Sequence, residues 1–203
     1  MWRTLGAVLV LLGLGVLGYV GWELYGTNVV AGRSQERMHQ QIVRAWDEGR
    51  EPSPTATGDA LVRIPRFGED WVKPVLLGFD DDTLARSVGR FPDGAEPGEV
   101  GNVVLAGHRV TRGEPFRDFL DLRRGDLVVV ETRTKVYTYE LRGDGDDVRV
   151  DFSTSWPLQP VPEPDAGSRE PTERLITLIT CSEIFHTDDR NVVTGVLVDV
   201  RPR

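Results

Sequence analysis

The stretch "LITLITCSEIFHTDDRNVVTGVLVDV", residues 175–200, sets two apolar, β-branched runs on either side of a polar turn. Runs of this length bounded by Ser, Thr and Asp read as strands, Leu175–Thr180 and Val192–Val200. Paired as an antiparallel hairpin, their adjacent ends bring Cys181 close to Arg190. Cys181 is the only cysteine of the chain. An unpaired cysteine in a strand is ordinarily a small buried hydrophobe. It is a nucleophile only as the thiolate, which needs a cation or base beside it. Arg190 cannot be a base at any relevant pH, but its guanidinium can donate hydrogen bonds to a developing oxyanion.

A partner active near neutral pH is most naturally a histidine, and the chain has three: His39, His108 and His186. His186 is five residues from Cys181 and reads either as a competing base or as a loop residue. His39 falls in a helical stretch and reads as solvated. His108 belongs to "GNVVLAGHRVT", residues 101–111. There an apolar strand ends at Ala106-Gly107 and the polar pair His108-Arg109 leaves it. A polar pair at a strand end, after a glycine that permits close approach, is a common place for a site residue. A surface loop histidine fits the same residues, and the segment alone leaves both readings open.

Between Ala60 and the C-terminus the pattern is of short strands with turns. Besides the pair above, the candidates are Leu61–Pro65, Val72–Leu77, Asn102–Ala106, Leu127–Thr132, Val136–Leu141 and Val148–Phe152. Eight short strands separated by turns such as "FPDGAEPGE" and "RGDGDD" predict a closed barrel or a sandwich. "DDDTLARSVGR" and "EPFRDFLDL" read as brief helical turns. The Pro-rich stretch Pro157–Pro171 reads as a long exposed loop before the cysteine strand.

The N-terminus has a different character. Leu5–Trp22 contains no charge. As a helix its 18 residues span roughly 27 Å, enough for the hydrocarbon core of a bilayer. Arg3 on one side and Glu23 on the other place the N-terminus in the cytoplasm and the remainder outside. A cleaved signal peptide is the rival, with "VVAGRS" at 29–34 the nearest cleavage candidate. Ser34–Gly49 predicts a juxtamembrane helix with Met38, Ile42, Val43 and Trp46 on one stripe, and Glu51–Asp59 a Pro/Ser/Thr linker. The chain thus divides into an anchor (1–25), a helix and linker (26–59) and a β-domain (60–203).

Composition narrows the function. The formal net charge is −8, and no run of Lys or Arg exceeds two residues. A nucleic-acid surface, which needs a basic patch, is therefore not expected. One cysteine supplies neither an intramolecular disulfide nor a CxxC-type zinc site. The acidic turns Asp80–Asp82 and Asp144–Asp147 do not form a legible calcium cage. No metal and no cofactor are expected.

"TLITC", with an arginine nine positions on, resembles the TLxTC…R signature of the sortases, cysteine transpeptidases of Gram-positive cell surfaces. "RIPRFGEDWVKPVLLGFDDDTLARSVGRFPDGAEPGEVGNVVLAGHR" and "EPFRDFLDLRRGDLVVVET" are similar, in register, to the class E (actinobacterial housekeeping) branch. The likeness runs from about Leu61 to Val200. Many class E members carry "TCHP" where this chain has "TCSE", and a histidine in the last strand where it has Thr194.

The resemblance implies an eight-stranded sortase-type β-barrel with short helical turns, preceded by a transmembrane helix. It also implies that Cys181 is the nucleophile, His108 the general acid/base and Arg190 the oxyanion or substrate-positioning donor. Thr180, Ser182 and Arg109 are secondary candidates for substrate contact. The implied reaction cleaves an LPxTG- or LAxTG-like sorting signal of a surface protein between Thr and Gly. The acyl group then passes from a Cys thioester to a peptidoglycan-precursor amine. Position two of the signal, Pro or Ala, stays open. The alternatives are a papain-like or L,D-transpeptidase enzyme, and a non-catalytic anchored β-domain with Cys181 buried.

Overall fold

The computed structural model describes residues 2–22, 26–181 and 188–203. Helix α1 spans Trp2–Gly21. Its window Thr4–Gly21 is long and apolar enough to cross a membrane, and none of it is buried against the rest of the chain. Helix α2 (Thr27–Asp47) follows, and a short α3 (Asp81–Leu84) lies later in the chain. Asp80 caps α3 by accepting from the Thr83 N–H at 2.9 Å and the Thr83 hydroxyl at 2.7 Å. Those two bonds hold its carboxyl below the usual range.

The strands are β1 (Ala60–Arg63), β2 (Val72–Leu77), β3 (Val88–Arg90), β4 (Gly101–Ala106), β5 (Leu127–Glu131), β6 (Lys135–Leu141), β7 (Val148–Asp151), β8 (Arg174–Cys181) and β9 (Asp189–Pro202). Eight of them form a ring in the order β6-β5-β1-β2-β3-β4-β8-β9, closed by β9 pairing back onto β6. Closure removes the exposed edges that would otherwise template aggregation. β7 stands outside the ring, on the part of β9 that β6 leaves uncovered. Inward residues alternate along the strands, as the period of two requires. Val62, Val103, Leu105, Val128, Val130, Tyr139, Ile176 and Leu178 share one core.

β4 and β8 are the exception to polar-out alternation. They pair in parallel, from Gly101↔Arg174 to Ala106↔Ile179. Every residue of β4 is buried, in keeping with the continuous apolar runs of parallel strands covered on both faces. The outer cover is the stretch after β7. Asn102, 1% exposed, donates through Nδ2 to the carbonyls of Pro157 (2.9 Å) and Gln159 (3.0 Å). Its Oδ1 accepts from the Thr177 hydroxyl at 2.8 Å.

Four local expectations change. β3, three residues inside the stretch read as a helical turn, is a strand. It pairs parallel to β2 and antiparallel to β4, partnerships no local signal encodes. Helix α2 begins at Thr27 rather than near Ser34: no proline interrupts its first turns, and Asn28 and Ala31 meet the loop at Gly113 and Glu114. The 51–59 stretch, read as a linker with nothing to bury, is strapped to the domain. Pro54 accepts from the Leu77 N–H, Asp59 donates its N–H to Val75, and Arg86 reaches the carbonyls of Thr55 and Ala56. The Pro-rich loop is exposed over most of 163–173, but Pro157 and Pro162 are buried.

α2 lies against the barrel through Ile42 and Trp46, which pack with Leu61 and Val72. Arg203 sits over the Trp46 ring, 4.7 Å from its centroid. Lys73 donates to the Gln35 Oε1 at 2.7 Å, and burial pushes its pKa below the ordinary lysine value.

Two variants test this platform. Asn102→Ala strands the buried Pro157 carbonyl and the Thr177 hydroxyl and frees the Gln159 carbonyl, and should lower the unfolding free energy in urea by about 2–3 kcal/mol. Thr180→Val, nearly isosteric, removes the hydroxyl that donates to the Gly107 carbonyl at 2.8 Å. It should cost about 1–2 kcal/mol on the same measurement.

Candidate active site

The candidate residues meet where β4, β8 and β9 stand side by side. The β4–β8 ladder ends with Ala106 opposite Ile179. Its alignment continues one residue further: the Gly107 N–H donates to the Ile179 carbonyl at 3.2 Å, and the Thr180 hydroxyl to the Gly107 carbonyl at 2.8 Å. The next residue on each strand is His108 on one and Cys181 on the other. On the far side of β8, Cys181 is the register partner of Arg190. Cys181 and Arg190 therefore face each other on β8 and β9, neighbouring strands about 4.8 Å apart, and His108 follows the end of β4 by two residues on the other side of β8. The chain separates them by long distances, and the sheet order removes those distances.

Each position is held. Gly107 lets the loop pack closely: a Cβ there would lie 3.1 Å from both Pro115 and Phe116, so a side chain would crowd both rings. Phe116 is fully buried, and its N–H donates to the His108 carbonyl at 3.0 Å. This closes a loop that leaves β4 at residue 107 and returns at 116. His108 and Arg109 are half-buried on this loop. Thr180, 2% exposed, faces inward onto Gly107, so its hydroxyl orients the backbone beside Cys181.

Arg190 lies inside the sheet, between Cys181 on β8 and Val150 on β7. Its Nη1 donates to the Asp189 carbonyl at 3.0 Å. Next to it, Arg149 pairs with the Asp189 carboxylate at 2.5 Å. Asp151 accepts from the Ser153 hydroxyl and N–H, which hold its carboxyl low; the Arg190 charge adds a little in the same direction.

Ser182 and the competing base His186 lie outside the described residues. His39 is half-buried on α2, far along the chain from this row. The acidic turn at Asp144–Asp147 gathers three carboxylates. Arg123 lies 3.9 Å from Asp144 and 3.6 Å from Asp146. Sequence reasoning had no signal for Phe116 or for the loop it closes, because their role depends on a contact between residues eight apart with no periodic pattern.

A cysteine, a histidine and an arginine whose backbones come together at one barrel rim are the residue types that acyl transfer through a covalent intermediate needs. Comparison with known proteins agrees. Residues 62–198 match the family model described as the sortase domain. The chain is 34% identical to sortase SrtE1 of Streptomyces coelicolor over 99% of its own length and 58% of that protein's. It thus spans somewhat over half the length of that curated relative. Among solved structures it superposes on sortase E of Streptomyces avermitilis with a TM-score of 0.64 at 32% identity, covering 74% of this chain and 93% of the other. It superposes on Sortase E1 of S. coelicolor, solved with a tripeptide in its active site, with a TM-score of 0.60 at 36% identity, covering 71% and 90%. A domain match over residues 62–198, a shared closed barrel and class E relatives over almost the whole chain agree: this protein belongs to the sortase family.

Proposed function

We propose that the protein is a membrane-anchored sortase that joins surface proteins to a cell-wall precursor. The sorting signal is LPxTG- or LAxTG-like and is cut between Thr and Gly. The observation that carries this reading is the sheet register that sets Cys181 on β8 opposite Arg190 on β9 and brings the end of β4, two residues before His108, alongside β8.

In the first half-reaction the Cys181 thiolate attacks the Thr carbonyl carbon. The carbon–nitrogen bond breaks, and the Gly amine leaves with a proton from His108. Arg190 donates hydrogen bonds to the oxyanion of the tetrahedral intermediate. In the second half an acceptor amine attacks the thioester and gives its proton to His108, and the thiolate departs. Two thioester-linked steps conserve the acyl energy for transfer rather than hydrolysis. His108 thus acts as acid and then as base, in one place.

The apolar helix α1 supports the anchoring part of the reading, and its flanking charges support a cytoplasmic N-terminus with the barrel outside. The fit of the chain to sortase E relatives supports the transpeptidase part of the reading.

The test is cleavage of fluorescent LPxTG and LAxTG peptides by the full chain in detergent, with an amine acceptor present. Cys181→Ala should abolish turnover. His108→Ala should lower it by about 10²–10⁴-fold, the usual share of general acid–base catalysis. Arg190→Ala should lower it by about 10²–10³-fold, with Arg190→Lys recovering little. Full activity in Cys181→Ala, or a loss in His186→Ala equal to that expected for His108→Ala, would contradict the assignment.

A further inference from the structure

The loop that carries His108 is gripped at its far end by the first turns of α2. Arg112, Gly113 and Glu114 are consecutive residues with positive φ, at 60°, 82° and 46°. The left-handed region is unfavourable for Arg and Glu, so this tip holds its shape only while its surroundings fix it. Those surroundings are on α2. The Gly113 N–H donates to the Asn28 Oδ1 at 2.8 Å, and the Asn28 Nδ2 donates to the Glu114 Oε1 at 2.5 Å. Gly113 packs so closely that a Cβ there would lie 2.8 Å from the Gln35 Nε2 and 3.0 Å from the Ala31 Cβ. At its near end the same loop is fixed through Gly107 on Ile179 and Phe116 on His108. Between the two fixed ends lie His108 and Arg109.

We propose that Asn28 is a positioning residue for His108. Its amide, one acceptor and one donor, locks the 107–116 loop onto α2 and sets the backbone from which the imidazole projects. The inference rests on the reading of His108 as the general acid/base. It ties the helix that comes after α1 to the loop that carries His108.

The amide admits a reversal that a merely structural contact would not reward. Asn28→Asp keeps the acceptor for Gly113 but sets a carboxylate against Glu114. Adding Glu114→Gln restores a donor–acceptor pair with the direction of the second bond inverted. The experiment uses the full chain in detergent. It measures kcat and KM for sorting-peptide cleavage and records the His108 imidazole cross-peaks by NMR, with the melting temperature alongside. Asn28→Ala and Asn28→Asp should each lower kcat about tenfold, leave KM within about twofold, and shift or broaden the His108 signals. Asn28→Asp with Glu114→Gln should recover kcat to within about threefold of the parent chain and return the signals to their places. Gln40→Ala, an exposed change on α2, serves as the control. Unchanged kcat and His108 signals in Asn28→Ala would overturn the proposal. So would an effect confined to KM, or a double variant that does not recover. If the parent chain shows no His108-dependent turnover, the sortase reading of His108 fails. The NMR signals then still decide whether Asn28 sets the imidazole.

Discussion

The parallel pairing of β4 with β8 is the constraint on which the rest depends. Two neighbouring parallel strands cannot be joined by a tight turn, so the chain must travel a long way between them. Here it builds β5, β6 and β7 on that journey, and Gly107 and Thr180 end up bonded although 73 residues apart. Parallel strands also end at the same rim. The end of β4 and the end of β8 therefore lie at one rim, and an antiparallel β9 begins there opposite Cys181. A histidine, a cysteine and an arginine so arranged need no local motif to meet; the sheet order brings them together.

The platform under this row is rigid for reasons visible in its side chains. Both faces of β4 are covered, one by the barrel core and the other by the stretch that Asn102 pins through two carbonyls. The 51–59 strap is tied on by charge as well as by backbone bonds. Arg90, 3% exposed, pairs with Asp59 at 3.1 Å and with Glu96 at 2.5 Å. Burial pushes the Asp59 carboxyl up, and the Arg90 charge opposes that rise. The helix and strap that precede the barrel are in this way part of its wall rather than a tether to it.

Much of this is legible in the sequence, and the exceptions have a common cause. Strands such as β2, β4 and β8 declare themselves by apolar, β-branched runs, and the hairpin of β8 and β9 comes from two such runs about a turn. β3 does not, since "VGR" carries no period and is a strand only because β2 and β4 flank it. The strap reads as a linker because its composition offers nothing to bury, yet its backbone carbonyls are claimed by Arg86 and the Leu77 N–H. Spacing alone leaves His186 as either a competing base or a loop residue, and family resemblance favours His108. The physical content of that resemblance is the β4–β8 register, which a linear sequence does not display. Asn28 is invisible for the same reason: Gly113 and Glu114, which its amide bonds, lie 85 and 86 residues away.

The central claim is that Cys181 carries the acyl group between donor and acceptor. It is tested most directly by intact-mass spectrometry of the full chain mixed with an excess of sorting peptide in the absence of any amine. The expected result is an adduct equal to the peptide truncated after its threonine, mapped by fragmentation to Cys181. That adduct should discharge into a new amide when an amine is added. Cleavage of the peptide by the intact chain with no adduct, or an adduct on any other residue, would contradict the claim.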